Sequence, residues 1–267
     1  MISTAEIAKL AHHLGVGDRV IEKDYVLSWL LVAIAQSTLR DQLVFKGGTA
    51  LKKCYYPDYR FSEDLDFTLR ANLSHDDVTN AFVTLFPRLG RQVNLALALH
   101  SAELSVFEST TLMINYEGPL RGRMGSRHLK VDLTRGELLL CPPAERPLQA
   151  SYSDYPAGVT LPTYTLEEIM AEKLCALLGR TEPRDLYDVY WLFENSDIDA
   201  GSVPTNLAAK SRHKGYDANR LGEILQNKVN AYTRLWESRL AIQVPDLPRL
   251  NEVLRAVQRH LRELALI

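Results

Sequence analysis

Two carboxylates lie two residues apart in a short alternating segment. Asp64 and Asp66 flank Leu65 and are followed by Phe67. In a β-strand, residues i and i+2 project from one face while their neighbours project from the other. At about 4 Å, two like charges cost roughly 1 kcal/mol in water and about 4 kcal/mol at the effective dielectric of a protein surface. The pair therefore predicts either a bound cation or, in the simpler alternative, a solvated strand face.

A third acid repeats this pattern later in the chain. Residues 130–134 read KVDLT, so Asp132 also lies between two apolar residues. A neighbouring strand could bring Asp132 beside Asp64 and Asp66, or Asp132 could be an exposed polar residue. Carboxylate oxygens suit Mg²⁺ or Mn²⁺, which retain water and take further ligands from substrate phosphates. The three acids are therefore candidate ligands of a divalent metal.

A pair of glycines precedes these acids. A short β-rich run stops at Gly47 and Gly48, and a helical pattern begins at Thr49. Glycine lets the backbone N–H groups at the start of a helix approach a phosphate closely. A triphosphate could bind at this turn, with Thr49, Lys52 and Ser62 beside it.

The remaining chain must supply the elements that position these residues. Alternation predicts a run of strands between residues 93 and 133, whereas the pattern from residue 165 onward is almost entirely helical. Prolines are concentrated in residues 140–162, which predicts a connection there. We therefore expect an α/β (α+β) catalytic domain with N-terminal helices in residues 1–145. A mainly helical domain in residues 146–267 would contribute to the active-site cleft.

Composition excludes several classes of protein. The chain has 267 residues, 46% of them hydrophobic, and a chain of this length buries about three quarters of its surface. A charged fraction of 24% and a net charge of -2 argue against disorder and against a wholly basic nucleic-acid-binding protein. Three cysteines without metal-ligand spacing disfavour a disulfide framework or zinc finger. The pattern has no membrane span or secretory signal, so we expect a cytoplasmic location.

A glycine turn, an Asp-x-Asp strand and a later single-Asp strand resemble the arrangement of the polymerase-β-type nucleotidyltransferase superfamily. Residues 44–51 (VFKGGTAL) and 60–67 (RFSEDLDF) resemble the signature of the AbiEii-type nucleotidyltransferase toxins of abortive-infection and type IV toxin–antitoxin systems. Gly48 stands where many members carry serine, which removes one side-chain donor to phosphate. Further similar motifs are residues 22–25 (EKDY), 172–174 (EKL) and 184–188 (RDLYD).

This resemblance implies a nucleotidyltransferase fold with a mixed sheet, followed by a helical bundle. It implies metal-dependent transfer of NMP from an NTP to an acceptor hydroxyl, with Asp64 and Asp66 as catalytic metal ligands. Lys173 and Asp185 would join the active site from the helical half. Asp132 would either bind a second metal or accept the hydroxyl proton. The implied cofactor is Mg²⁺ or Mn²⁺, the implied acceptor is the 3′ end of tRNA, and the implied partner is a separate antitoxin protein.

Helical geometry gives a separate view of the last two residues. At 100° per residue, Lys173 lies about 40° from the apolar stripe of its helix. On the next helix Asp185 borders the apolar stripe, and Asp188 is expected to face away. Lys173 would neutralise charge on the leaving pyrophosphate. The alternative is a structural salt bridge from Lys173 to Asp185 or Glu168.

Two basic runs could hold an RNA backbone, or they could be ordinary solvated turns. Two other functions stay open at this point: transfer to a protein or small-molecule hydroxyl, and nucleotide binding by a regulatory module without turnover. The basic residues are Arg121, Arg123, Arg127, His128, Lys130 and Arg135, and then Lys210, Arg212, His213, Lys214 and Arg220.

Overall fold

A computed structural model of the protein describes residues 1–70, 72–106 and 109–267. The chain divides into two units. The first unit contains residues 1–137 and 143–164, and the second contains residues 138–142 and 165–267. Each unit has its own secondary structure: a sheet with helices in the first, and helices in the second.

Within the described residues, the first unit forms a sheet of seven strands in the order β3-β4-β5-β2-β1-β7-β6. Strand β2 pairs with β5 in parallel, and so does β1 with β7; the other neighbours are antiparallel. The predicted α/β fold with a mixed sheet is confirmed. The strands are β1 (Leu43–Lys46), β2 (Asp64–Leu69), β3 (Ala96–Leu104), β4 (Thr110–Glu117), β5 (His128–Thr134), β6 (Ala144–Pro147) and β7 (Thr160–Thr163).

Helices cover this sheet, and the longest of them is almost wholly buried. Helix α2 carries an apolar run from Val26 to Ala35 that is buried along its whole length, as a core helix requires. Helix α1 begins where Ser3 accepts a hydrogen bond from the Glu6 N–H group, and it ends at Gly15. The helices are α1 (Thr4–Leu14), α2 (Asp18–Ala35), α3 (Gly47–Ala50, continued by a π-helical turn over Leu51–Tyr55), α4 (His75–Val83) and α5 (Phe86–Val93).

The second unit is helical, as the sequence pattern predicts. Its first helix begins where the Thr165 hydroxyl accepts a hydrogen bond from the Glu168 N–H group. The second helix of this unit packs against the first, the fourth and the fifth, so more than one of its faces is covered. The helices are α6 (Leu166–Gly179), α7 (Pro183–Asn195), α8 (Val203–His213), α9 (Leu221–Leu240) and α10 (Leu250–Glu263).

The proline-rich segment differs from its predicted role as a connection. Strands β6 and β7 lie within residues 140–162 or end beside them, and they extend the sheet of the first unit. Proline lacks an N–H donor and is tolerated at sheet edges, so Pro147 can end the edge strand β6. The first unit therefore continues to Tyr164. No helix in the described residues combines the length and apolar character that crossing a membrane requires.

Candidate active site

Strand β2 presents two acids on one face. Asp64 and Asp66 are half-buried, whereas the intervening Leu65 and the following Phe67 are fully buried. The parallel pairing with β5 sets Asp132 opposite Asp66 and Lys130 opposite Asp64. Strand alternation thus brings the three predicted carboxylates to one face of the sheet, on two neighbouring interior strands.

Gly47 lies directly against one of these acids. Its φ of 79° is in the left-handed region, and a Cβ atom at this position would lie 2.6 Å from Asp66 Oδ2. Glycine is therefore required twice, once for the backbone conformation and once for the close approach. Next to Gly47, both Gly48 and Thr49 are buried in α3, and Thr49 Oγ1 donates to the backbone oxygen of Asp64 at 2.5 Å. This bond joins the glycine turn to the start of β2.

The carboxylate of Asp132 accepts hydrogen bonds from two side chains. Thr111 Oγ1 lies 2.7 Å from Asp132 Oδ1, and Lys130 Nζ lies 2.5 Å from Asp132 Oδ2. Burial on its own lowers the pKa of Lys130, but the hydrogen bond to Asp132 and the charges of Asp132, Asp64 and Asp66 raise this pKa above its ordinary value. In the sequence, Lys130 is part of a basic run that could hold an RNA backbone. Its position two residues before Asp132, on the same strand face, is the signal that would have linked it to the acids.

A second lysine lies on the other side of β2. Lys46 is opposite Asp66 across the β1–β2 pair, and its Nζ atom lies 3.4 Å from Glu137 Oε1, with both side chains 7% exposed. Four carboxylates and two ammonium groups, whose formal charges sum to minus two, are thus linked by strand pairing and ion pairs into one set. We call it the carboxylate edge, and its members are Asp64, Asp66, Asp132, Glu137, Lys46 and Lys130.

The donor set of the carboxylate edge suits a divalent metal that arrives with phosphate. Among the described residues, no three His, Cys, Asp or Glu side chains are grouped as a metal site, and Asp132 is engaged by Lys130 and Thr111. Mg²⁺ commonly uses one or two carboxylates and takes its other ligands from water and substrate phosphates. Asp64 and Asp66 meet that requirement, and the negative charge of the edge favours a cation.

Lys52 and Ser62 lie in and beside the loop that leads into β2. Lys52 Nζ donates to the backbone oxygens of Pro57 and Tyr59, at 2.8 Å each, and lies over the Phe61 ring at 4.1 Å. Burial lowers the pKa of Lys52 to about 8. This geometry differs from the predicted contact with a triphosphate, because the ammonium group holds the loop. Ser62 is half-buried, two residues before Asp64.

Lys173 and Asp185 lie in a group of four charged residues in the second unit, of which Lys173, Asp185 and Asp188 are buried and Arg180 is 65% exposed. Lys173 Nζ is 2.8 Å from Asp185 Oδ1 and 2.7 Å from Asp188 Oδ2. Arg180 Nε is 2.7 Å from Asp185 Oδ2. We call these four residues the buried ion cluster. The expectation that Asp188 faces away is wrong: its side chain is 0% exposed, because other helices cover several faces of α7.

The charges of this cluster act on one another. Burial on its own raises the pKa of Asp185, but the charge of Lys173 and the hydrogen bonds and charge of Arg180 outweigh it. The pKa of Asp185 therefore lies below its ordinary value. Contact of Lys173 with a phosphate stays a prediction, and the salt bridge to Asp185, which was its alternative, is present.

The N-terminal motif on α2 holds other segments of the first unit. Glu22 is fully buried and accepts hydrogen bonds from the N–H group of Leu120 at 2.8 Å and from Arg127. Lys23 Nζ lies 3.3 Å from Glu63 Oε2, next to Asp64. These contacts attach α2 to the loop between β4 and β5 and to the segment that precedes β2.

Three members of the two basic runs contact acids in the fold, and RNA contact by the runs stays a prediction. Arg127 is paired with Glu22 and Lys130 with Asp132. Lys210 is 1% exposed and lies 2.7 Å from Glu168. Arg127 and Lys210 thus pair with acids in distant segments, whereas Lys130 pairs with an acid on its own strand.

Comparisons with known proteins agree with this architecture. The model of the family "Nucleotidyl transferase AbiEii toxin, Type IV TA system" matches residues 29–261. The MenT4 nucleotidyltransferase toxin of Mycobacterium tuberculosis has a similar fold, with a TM-score of 0.71 and 20% identity over 99% of this chain and 90% of that one. JHP933 of Helicobacter pylori has a TM-score of 0.59 and 17% identity over 93% of each chain. No curated protein sequence gives a significant match.

Proposed function

The chain belongs to the AbiEii family of nucleotidyltransferase toxins, and we propose that it transfers NMP from an NTP to an acceptor hydroxyl with the help of Mg²⁺ or Mn²⁺. Asp64 and Asp66 would bind the metal. Gly47, Gly48 and Thr49 would border the triphosphate.

One observation carries this proposal: Gly47 approaches Asp66 so closely that a Cβ atom would lie 2.6 Å from the carboxylate. A phosphate that is bound beside the glycine turn would therefore lie next to the acids of β2. The register of β2 and β5 adds Asp132 to the same face. The negative charge of the carboxylate edge favours a metal ion, which a triphosphate can accompany.

In the proposed step the acceptor oxygen attacks the α-phosphorus, a new P–O bond forms, and the bond to the β-phosphate breaks to release pyrophosphate. The metal would neutralise charge on the attacking and leaving oxygens. Asp132 would either bind a second metal or accept the hydroxyl proton, the two roles considered from the sequence. Thr49 would keep Asp64 in place through its hydrogen bond to the Asp64 backbone oxygen.

The finer assignments belong to the same proposal. We assign Lys173 and Asp185 to the active site because the motifs of the helical half resemble those of the family. The acceptor would be the 3′ end of tRNA, and its modification would stop translation in the cytoplasm. A separate antitoxin protein would oppose the toxin, as membership of a type IV toxin–antitoxin family indicates.

Incubation with each labelled NTP, Mg²⁺ and total tRNA tests the reaction. We expect label on tRNA with the wild type and none with Asp66→Ala. A matched control is Asp41→Ala, which removes an acid that is 82% exposed and should leave transfer unchanged. Equal labelling by Asp66→Ala would refute the catalytic assignment, whereas label on protein would identify a different acceptor.

Growth on expression tests the toxin function separately. We expect wild-type protein to inhibit growth and Asp64→Ala to relieve that inhibition at equal protein level. Inhibition that persists with Asp64→Ala would indicate that binding, not chemistry, causes toxicity.

A further inference from the structure

Lys130 contacts one of the two carboxylate oxygens that Asp132 would offer to a metal ion. Its Nζ atom lies 2.5 Å from Asp132 Oδ2, and Thr111 holds the other oxygen at 2.7 Å. Across the β2–β5 pair, Lys130 lies opposite Asp64 and Asp132 lies opposite Asp66. The ammonium group is thus on the strand face that carries all three acids.

A fixed positive charge at this point opposes a second cation. Two like charges about 4 Å apart repel each other, and the repulsion grows as the local dielectric falls. A divalent ion can therefore bind Asp132 only if the lysine moves. Asp64 and Asp66 stay the proposed ligands of the first metal ion.

We propose that Lys130 is a resident counter-ion that keeps Asp132 from binding a divalent metal until a nucleotide arrives. The inference rests on the proposed function. The triphosphate supplies oxygens to which the ammonium group can transfer its hydrogen bonds, and Asp132 is then released to serve the metal. Lys130 is a positioning residue in this scheme, because it acts through Asp132. It makes metal binding and nucleotide binding mutually dependent.

Titration with Mn²⁺ in the absence of nucleotide tests this inference, with electron paramagnetic resonance reporting free Mn²⁺. We expect Lys130→Met to bind Mn²⁺ about tenfold more tightly than the wild type. Lys130→Arg, which keeps the charge, should stay within twofold of the wild type. So should Lys9→Met, which removes an exposed lysine from α1. Lys130→Gln gives the same test with a polar side chain if Lys130→Met does not fold.

A double variant tests whether a gain in Mn²⁺ affinity comes from the released Asp132 carboxylate or only from the loss of a positive charge nearby. In Lys130→Met with Asp132→Asn the tenfold gain should disappear, because the gain depends on the released carboxylate. A non-hydrolysable NTP analogue should strengthen Mn²⁺ binding by the wild type and strengthen it less in Lys130→Met.

Two results would overturn the inference: unchanged Mn²⁺ affinity in both uncharged Lys130 variants, or a gain that persists with Asp132→Asn. The titration requires neither substrate nor acceptor. A flat titration together with active transfer by the wild type would thus defeat this inference alone, and a tenfold gain without any transfer would defeat the proposed function alone.

Discussion

The carboxylate edge of the first unit and the buried ion cluster of the second unit use the same residue types in opposite ways. In the edge, four carboxylates face two ammonium groups, and the side chains of Asp132 and Lys130 are 27% and 41% exposed. In the cluster, two carboxylates face two cations, and both Asp185 and Asp188 are at most 1% exposed.

This difference distinguishes a region suited to binding a cation from a region that holds two helices together. Burying a charge is costly unless partners compensate for it, and the balanced cluster meets that condition with its own residues. The formal charges of the six residues of the carboxylate edge sum to a negative value, and Asp132 and Lys130 are partly exposed, so an added cation lowers the energy of the edge. The proposed metal site therefore belongs to the edge, whereas the cluster joins α6 to α7 whether or not Lys173 and Asp185 also serve the proposed active site.

The largest expected effect is a loss of activity at the carboxylate edge with little change in stability. Asp64→Asn removes a proposed metal ligand, and we expect the rate of transfer to fall at least 10³-fold, or about 4 kcal/mol in activation free energy. The free energy of unfolding should change by no more than about 1 kcal/mol, because like-charge repulsion decreases and the Thr49 bond goes to the backbone. Labelled transfer and urea unfolding measure the two quantities. A loss of both together would remove the distinction between the regions.

The reverse pattern is expected in the buried ion cluster. Asp185→Ala leaves Lys173 without one of its two acids, and breaking a buried pair costs about 3 kcal/mol or more. Urea unfolding should show this loss. The matched control is Glu223→Ala in the same unit, where both partners of the pair with Arg220 are more than half exposed; we expect no measurable destabilisation. Equal unfolding midpoints for Asp185→Ala and the wild type would contradict the structural role.

Acid should act on the same carboxylate with a smaller effect. Lys173 and Arg180 hold the pKa of Asp185 below its ordinary value of 3.8, despite burial. Its stabilisation is therefore fully present above pH 3.8 and is lost as the pH falls through the lower folded-state pKa. We expect the unfolding free energy of the wild type to fall more steeply below pH 3.8 than that of Asp185→Asn. Parallel curves for the two proteins would exclude this contribution.

The sequence predicts the strands that carry the acids better than it predicts the partners of each charge. Period-two alternation identified β2 and β5 and placed Asp64, Asp66 and Asp132 on strand faces, because alternation is a local property of the backbone. It could not identify the partners of each charge. Lys130 reads as part of a basic run although its partner Asp132 is only two residues away, because spacing alone does not show which charges pair. Asp188 reads as exposed because the other helices that cover α7 do not appear in a local pattern.

Three elements, β6, β7 and α8, are not identified from the sequence pattern, for related reasons. Strands β6 and β7 contain prolines, which mark loops far more often than strands. Helix α8 buries Lys210 and Ser211 beside Val203 and Leu207, so its inner face is not a continuous apolar stripe. Lys210 can be buried only because Glu168 pairs with it, and that pairing depends on tertiary structure.

The smallest expected effect concerns a partly exposed ion pair next to β2. Lys23 pairs with Glu63, whose side chain is 49% exposed, next to Asp64 in the chain. Such a pair contributes about 0.5 kcal/mol or less, and salt screens it. We expect Lys23→Met to lower the unfolding free energy by no more than that at low salt, and to have no effect at 0.5 M salt, a concentration at which the Debye length is about 4 Å.

The same variant is a second control for Lys130. If net charge near β2 alone set metal affinity, Lys23→Met would raise Mn²⁺ affinity as much as Lys130→Met. Contact with Asp132 is specific to Lys130, so we expect the effect of Lys23→Met to stay within twofold. Equal gains from the two variants would mean that the carboxylate edge responds to total charge. The edge and the buried ion cluster would then differ in their net charge alone, and the position of Lys130 would not matter.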